Sequence, residues 1–194
     1  EAYHLPAVNL IAVGDSRAFE WWHQAIEGGS NHDWLHPPLA KYFQALSLIV
    51  FGQQAWAWRL PSVIFGTGVI LLVYLLAKQL FQDKKLSLLA AFLASLDGLI
   101  LVQSRIGMND IVVSFLILLS LYFLSNYLFQ PLKNLIPSIL LTGLCLGLAL
   151  ATKWSAAWIW LFVLIWLGLR YLKNLKNNKT QVKFLPWQIF SLVL

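Results

Sequence analysis

The chain has 194 residues, 59% of them hydrophobic and only 11% charged, with 10 Trp and a formal net charge of +6. A soluble domain carries about 25% charged residues, so this balance excludes an ordinary soluble fold and makes the bilayer the relevant solvent. The basic residues fall mostly in short segments between apolar runs, which fits the positive-inside rule better than a nucleic-acid footprint, and the single Cys145 excludes an internal disulfide.

Residues 1–60 hold all four His, five of the eight acids, and Trp21, Trp22, Trp34, Trp56 and Trp58, the mixture of a headgroup interface. In Glu1 and His4 a carboxylate and an imidazole stand three positions apart, a spacing that suits acid–base work or a metal. The same pair also serves simply to solvate an interfacial helix. His23, His32 and His36 lack the spacing of a metal motif. Residues 28–31 read as a loop. His36-Pro37-Pro38-Leu39-Ala40-Lys41 predicts a helix started by proline, with His36 at its N-terminal mouth, where backbone N–H groups favour anions. Residues 42–58 are uncharged, but Gln44, Gln53 and Gln54 weaken them as a span. They are expected to form a helix lying on or dipping into the interface, with a tilted span as the alternative.

Apolar runs of bilayer length follow at 60–77, 86–104 (interrupted by Asp97), 111–129, 134–152 and 154–169, and 184–194 opens a sixth. The expected fold class is all-α: an outer interfacial loop at 1–60 with juxtamembrane helices, then a polytopic transmembrane helical bundle at 61–194. The expectation includes truncation of that bundle at both ends. Lys78, Lys84, Lys85, Lys133, Arg170, Lys173, Lys176, Lys179 and Lys183, nine in all, fall on one side of the bundle. Arg17, Lys41, Arg59, Arg105 and Lys153, five in all, fall on the other. The richer side is expected to be cytoplasmic, with the loop Arg170–Lys183 among its segments. Residues 1–60, the Asp97–Asp110 region and Lys153 then meet on the outer face.

Ionisable residues inside or beside apolar spans are costly unless paired or functional. Asp97 and Arg105 are eight positions apart, about two helical turns, so one helix face would carry both. Asp110 follows near the start of the next span. The cluster reads either as a pin for a helix hairpin or as part of a site. Lys153, in Ala151-Thr152-Lys153-Trp154, and Arg59 read either as snorkelling side chains or as cations for a lipid phosphate. No Walker loop, dinucleotide fingerprint or Gly-x-Ser-x-Gly is present.

Six motifs occur in order: Glu1-Ala2-Tyr3-His4, His36-Pro37-Pro38-Leu39-Ala40-Lys41, Arg59-Leu60-Pro61-Ser62, Leu96-Asp97-Gly98, Gln103-Ser104-Arg105-Ile106 followed by Asp110, and Ala151-Thr152-Lys153-Trp154. As a set they resemble the protein O-mannosyltransferase family in its bacterial form, a group of GT-C glycosyltransferases that use polyprenyl-phosphate sugars. The resemblance covers nearly the whole chain. It implies a first transmembrane helix followed by an outer loop opening with an Asp-Glu pair, with Glu1 as the second acid and the catalytic Asp just before it. It also implies inverting transfer of mannose from a β-linked donor to Ser or Thr hydroxyls of exported proteins. Glu1, His36 and Asp110 are then the candidates for catalysis. His4, Lys41, Arg59, Asp97, Arg105 and Lys153 are the candidates for holding substrate and phosphate. The expected partners are the polyprenyl-phosphate donor, an exported protein acceptor and membrane lipids, with no nucleic acid, metal or cofactor.

The nearest rival is a related GT-C enzyme that moves an aminoarabinose-type sugar to a lipid, for which a divalent metal is conceivable. A multi-span transporter fits less well, because the charges gather toward one face and no symmetric pair of broken spans is visible. A purely structural membrane subunit leaves the outer cluster without a role.

Overall fold

In hydrocarbon a backbone must satisfy its own hydrogen bonds, and helices do this within a single segment. The computed structural model describes residues 4–19, 36–129 and 135–176, and among these every regular element is a helix. In order they are α1 (Leu5–Ala12), a 3-10 turn (Ser16–Phe19), α2 (Leu39–Phe51), α3 (Leu60–Phe81), α4 (Lys84–Ser95), α5 (Gly98–Gln103), α6 (Asp110–Phe129), α7 (Leu135–Leu150) and α8 (Ala156–Lys176). Two of them, Leu60–Phe81 and Asp110–Leu128, are long and apolar enough to cross a membrane. Shorter apolar stretches lie at Pro137–Leu150 and Ala156–Leu169.

Local chemistry explains most boundaries. α2 begins directly after Pro37-Pro38, as the prolines predict, and stops at Gly52, whose φ of 79° and ψ of 178° suit glycine almost alone. The interfacial helix is therefore shorter than the 42–58 expected, and residues 55–59 are turn. α3 takes Pro61 in its first turn and ends at Gln82 in the left-handed conformation, φ 55°. Asp83 then caps α4, accepting from the N–H groups of Lys85 at 2.6 Å and Leu86 at 3.0 Å. Two residues thus reverse the chain into an antiparallel hairpin.

The run at 86–104 is interrupted at Asp97, as expected: α4 ends at Ser95, and Asp97 caps a separate α5 by accepting from Ile100 N–H at 2.8 Å. A short carboxylate competes for nearby backbone N–H groups and so starts a new helix rather than continuing the old one. Arg170, Lys173 and Lys176 belong to the end of α8 rather than to a loop. The expected sixth span at 184–194 lies outside the described residues.

α3 is clasped from two sides. A Cβ on Gly66 would run into Ser104 beyond α5, and one on Gly68 would run into the Phe115 ring of α6. The absence of side chains at these positions is what permits both approaches. Val69, Ile111, Val112, Leu116, Ala149 and Ala156 then form a core that joins α3, α6, α7 and the start of α8. A second core of Leu124, Ile139, Leu146, Val163 and Leu167 holds α6, α7 and α8 together further along. Val8 of α1 packs on Ala45 and Leu48 of α2.

Large apolar side chains also face outward. Leu89, Phe92 and Leu93 do so on α4, and Trp158 and Phe162 on α8, with Trp158 74% exposed. Such faces suit lipid, not water. Several hydroxyls are satisfied within their own segments: Thr67 donates to Val63 O, Thr142 to Ser138 O and Thr152 to Leu148 O.

Candidate functional site

The site is assembled where several helices begin or end at one end of the bundle. α7 unwinds after Leu150, and the N–H groups of Ala151, Thr152 and Lys153 bond back to Gly147 and Ala149 carbonyls. Leu39 N–H donates to Ala151 O at 3.0 Å, which ties the start of α2 to the end of α7. Lys153 reaches from this corner to Asp110, the first residue of α6, with Nζ 2.5 Å from Oδ1. The Lys153 side chain is 23% exposed and that of Asp110 35%, so the pair can be reached from outside.

The second part of the site lies beneath α2. Lys41, Gln44 and Ser47 recur at helical spacing on its buried face, and Gln44 is 1% exposed. Gly107 lies against them: a Cβ there would be 3.0 Å from Trp58 Cδ1 and 3.5 Å from Gln44 Nε2. Glycine therefore lets the 104–109 segment press against Trp58. Arg59 places its guanidinium carbon 5.6 Å from the centre of the Trp58 ring, a cation–π distance. Gln44 Nε2, Trp58 Nε1 and Asn109 Oδ1 are buried and find no hydrogen-bond partner among the described residues. Buried polar atoms are ordinarily paired, so these mark polar character reserved at this end of the bundle.

The predicted residues fall into distinct places. Asp110 and Lys153 come together. Lys41 is 4% exposed in the first turn of α2, and His36 is half-buried just before Pro37. His4 is 3% exposed at the start of α1, while its expected partner Glu1 lies outside the described residues. Asp97 and Arg105 do not stack on one face as expected, because the helix break puts Asp97 at the N-cap of α5 and Arg105 beyond its end. The Asp97 Oδ1 accepts from Ile100 N–H, which caps α5. Among the described residues no three His, Cys, Asp or Glu gather as a metal-holding group.

Sequence reasoning missed Gln44, Trp58, Gly107 and Asn109. Gln44 had a signal, since it lies three positions after Lys41 in an otherwise apolar helix. Gly107 and Asn109 stand between Arg105 and Asp110 but look like ordinary loop residues until α2 is placed over them.

Chemically, the arrangement offers one reachable carboxylate with a lysine on it and the arginines of two adjoining segments. Such a set can accept a proton from a hydroxyl and stabilise a departing phosphate, provided each group lies within hydrogen-bond reach.

Residues 35–194 match the family model described as dolichyl-phosphate-mannose-protein mannosyltransferase. A polyprenol-phosphate-mannose–protein mannosyltransferase of Corynebacterium glutamicum is 34% identical, across 77% of this chain and 35% of its own length. An undecaprenyl phosphate-alpha-4-amino-4-deoxy-L-arabinose arabinosyl transferase of Pseudomonas aeruginosa is 33% identical, across 66% of this chain and 25% of its own length. A polyprenol-phosphate-mannose–protein mannosyltransferase of Mycobacterium tuberculosis is 24% identical, across 66% of this chain and 28% of its own length. This chain thus spans about a third or less of the relatives it matches. No solved structure matches it. With the family model covering residues 35–194 and five of the six ordered motifs lying within that match, the chain belongs to the dolichyl-phosphate-mannose-protein mannosyltransferase family, a family of membrane glycosyltransferases.

Proposed function

We propose that the protein transfers mannose from a polyprenyl-phosphate donor to Ser or Thr hydroxyls of exported proteins, at the end of the bundle that bears Asp110 and Lys153. The observation that supports it most is their 2.5 Å ion pair, formed between segments 43 positions apart and left accessible. In the proposed step the acceptor oxygen bonds to the anomeric carbon, and its proton passes to a carboxylate. The bond from that carbon to the phosphate oxygen breaks, and the phosphate leaves with the electron pair. Arg59, Arg105 and Lys153 are the cations proposed to meet the phosphate, with His4, Lys41 and Asp97 also proposed to hold substrate, and Glu1, His36 and Asp110 proposed for catalysis.

The same reading makes the protein multi-pass, with residues 1–60 as the outer interfacial loop, 61–194 as the bundle, and the site facing outward. The nine-to-five distribution of basic residues supports this orientation. A second reading, transfer of an aminoarabinose-type sugar to a lipid, is favoured by the 33% identity to the Pseudomonas enzyme. The full-length protein in vesicles, given a Ser/Thr-rich peptide and either radiolabelled polyprenyl-phosphate-mannose or radiolabelled polyprenyl-phosphate-aminoarabinose, tests both. Label in the peptide supports the first reading. Label only from the aminoarabinose donor, recovered in lipid, replaces it with the second.

A further inference from the structure

The segment 104–109 that leads into Asp110 carries an unusual asparagine. Asn109 directly precedes α6, and its carbonyl accepts from Val113 N–H at 3.0 Å, so it holds the N-cap position. An asparagine there ordinarily turns its side chain back onto an N–H of its own first turn. Asn109 does not: its Oδ1 is buried without a hydrogen-bond partner among the described residues, and the residue is 2% exposed. The side chain forgoes the cap and keeps its oxygen inside the bundle.

Two donors meet the same segment. Gln44 Nε2 on α2 and Trp58 Nε1 in the turn before α3 are both buried and unpartnered among the described residues. They converge on Gly107, two residues before Asn109. A Cβ at Gly107 would lie 3.5 Å from Gln44 Nε2 and 3.0 Å from Trp58 Cδ1, the ring carbon bonded to Nε1. The missing Cβ therefore leaves the space from which both N–H groups can be met. Both side chains are held in place: Gln44 is 1% exposed, and Trp58 packs on the core of Val8, Ala45 and Leu48.

Two N–H donors cannot satisfy each other, and leaving either buried and unpaired is unfavourable. The two donors disfavour a cation, and the Asn109 oxygen disfavours an anion. What suits two donors and one acceptor is a small neutral group that accepts twice and donates once. A buried water does this, making about three bonds to polar groups that otherwise lack partners. We propose that Gln44 Nε2, Trp58 Nε1 and Asn109 Oδ1 hold one resident water beside Gly107, which fixes Asn109 and so positions Asp110. Asp110 is then held twice, its carboxylate by Lys153 and the residue before it by the water under α2. Replacing Gln44 by leucine exchanges one bond to the water for apolar contact, so stability holds while the water is less firmly placed. The positioning role rests on Asp110's part in the function above, whereas the water itself does not.

The test uses the full-length protein in phosphatidylethanolamine–phosphatidylglycerol vesicles, with isotope-labelled tryptophan nitrogens. In solid-state NMR, magnetisation that starts on water should reach the Trp58 indole N–H, identified by its loss in W58F. G107A should abolish that transfer, because its Cβ takes the water's place, and Gly107 has no positive φ to stand against alanine. N109L gives a second route: it removes no cap from α6, since Oδ1 forms none, and it should weaken the same transfer. In kinetics, N109L and G107A should each lower kcat about tenfold with KM unchanged, the effect of a small misplacement of Asp110. The G107A/N109L double variant should be no worse than the poorer single one, because both lose the same water. Absence of transfer to Trp58 in the wild type, or transfer undiminished in both variants, would overturn the water. Unchanged kcat, a loss in KM alone, or additive losses would overturn its hold on Asp110. If the full-length protein uses no mannose donor, the function above fails, and the NMR measurement still decides the water.

Discussion

Asp110 and Lys153 show what a single pair does here. Each is a charge at the edge of an apolar helix, and each alone would be costly to keep there. Joined, they fix the start of α6 to the corner after α7 and leave a carboxylate oxygen reachable. Lys153→Ala removes a charge-assisted bond, so transfer efficiency of the full-length protein should fall about ten- to a hundredfold. Asp110→Asn should lower kcat by at least as much. The D110N/K153A double variant should be little worse than the poorer single one, because two members of one pair are not additive. Additive losses in a double-mutant cycle would mean that the two act separately. Gln44 gives a contrasting case: its amide nitrogen is buried without a partner, so Gln44→Leu should not lower thermal stability. It should still reduce transfer, if the polar layer under α2 belongs to the site. A variant with wild-type turnover would make Gln44 irrelevant to function.

At the scale of elements, caps decide where this chain turns. Asp83 and Asp97 each cap a helix with a carboxylate, Asp83 in the charged turn between two apolar runs and Asp97 inside one. Asp97→Ala should cost about 1 kcal/mol, the usual worth of such a cap, and should weaken the bend between α4 and α5. Measured by denaturation in detergent, a stability equal to wild type would show that the break comes from packing on α3 instead. Between α3 and α6, Gln79 donates to Asn126 Oδ1 at 2.5 Å and accepts from the Ser125 hydroxyl. Interhelical polar contacts of this kind are worth about 0.6–1.7 kcal/mol in membranes, so Gln79→Leu should destabilise by that order. The effect should fall on stability and not on donor use, because this cluster lies far along α3 from Arg59.

At the scale of the whole molecule, the orientation of the bundle can be tested directly. Gln53→Cys, in the exposed turn after α2, should react with an impermeant thiol reagent in intact cells, and Lys85→Cys, at the start of α4, should not. The reverse pattern would invert the topology and put the candidate site on the wrong face. Much of this architecture was legible in the sequence because the bilayer limits the options: apolar runs of about 20 residues become helices, and prolines and basic residues mark their ends. The interruption at Asp97 was legible, but the stacking of Asp97 and Arg105 on one helix face was misread, because that spacing assumes an unbroken helix, whereas a short acid beside a glycine competes for the backbone locally. Glu1, the basic residues beyond Lys176 and the last apolar run lie outside the described residues, so those readings rest on sequence alone. The sequence by itself determined the class, the helices and the family motifs, since each depends on neighbours along the chain. Only tertiary structure decided that Lys153 pairs with Asp110 and that Gly107 brings Trp58 and Gln44 together. Those depend on how close two helices come, and that distance is set by the glycines and small residues between them.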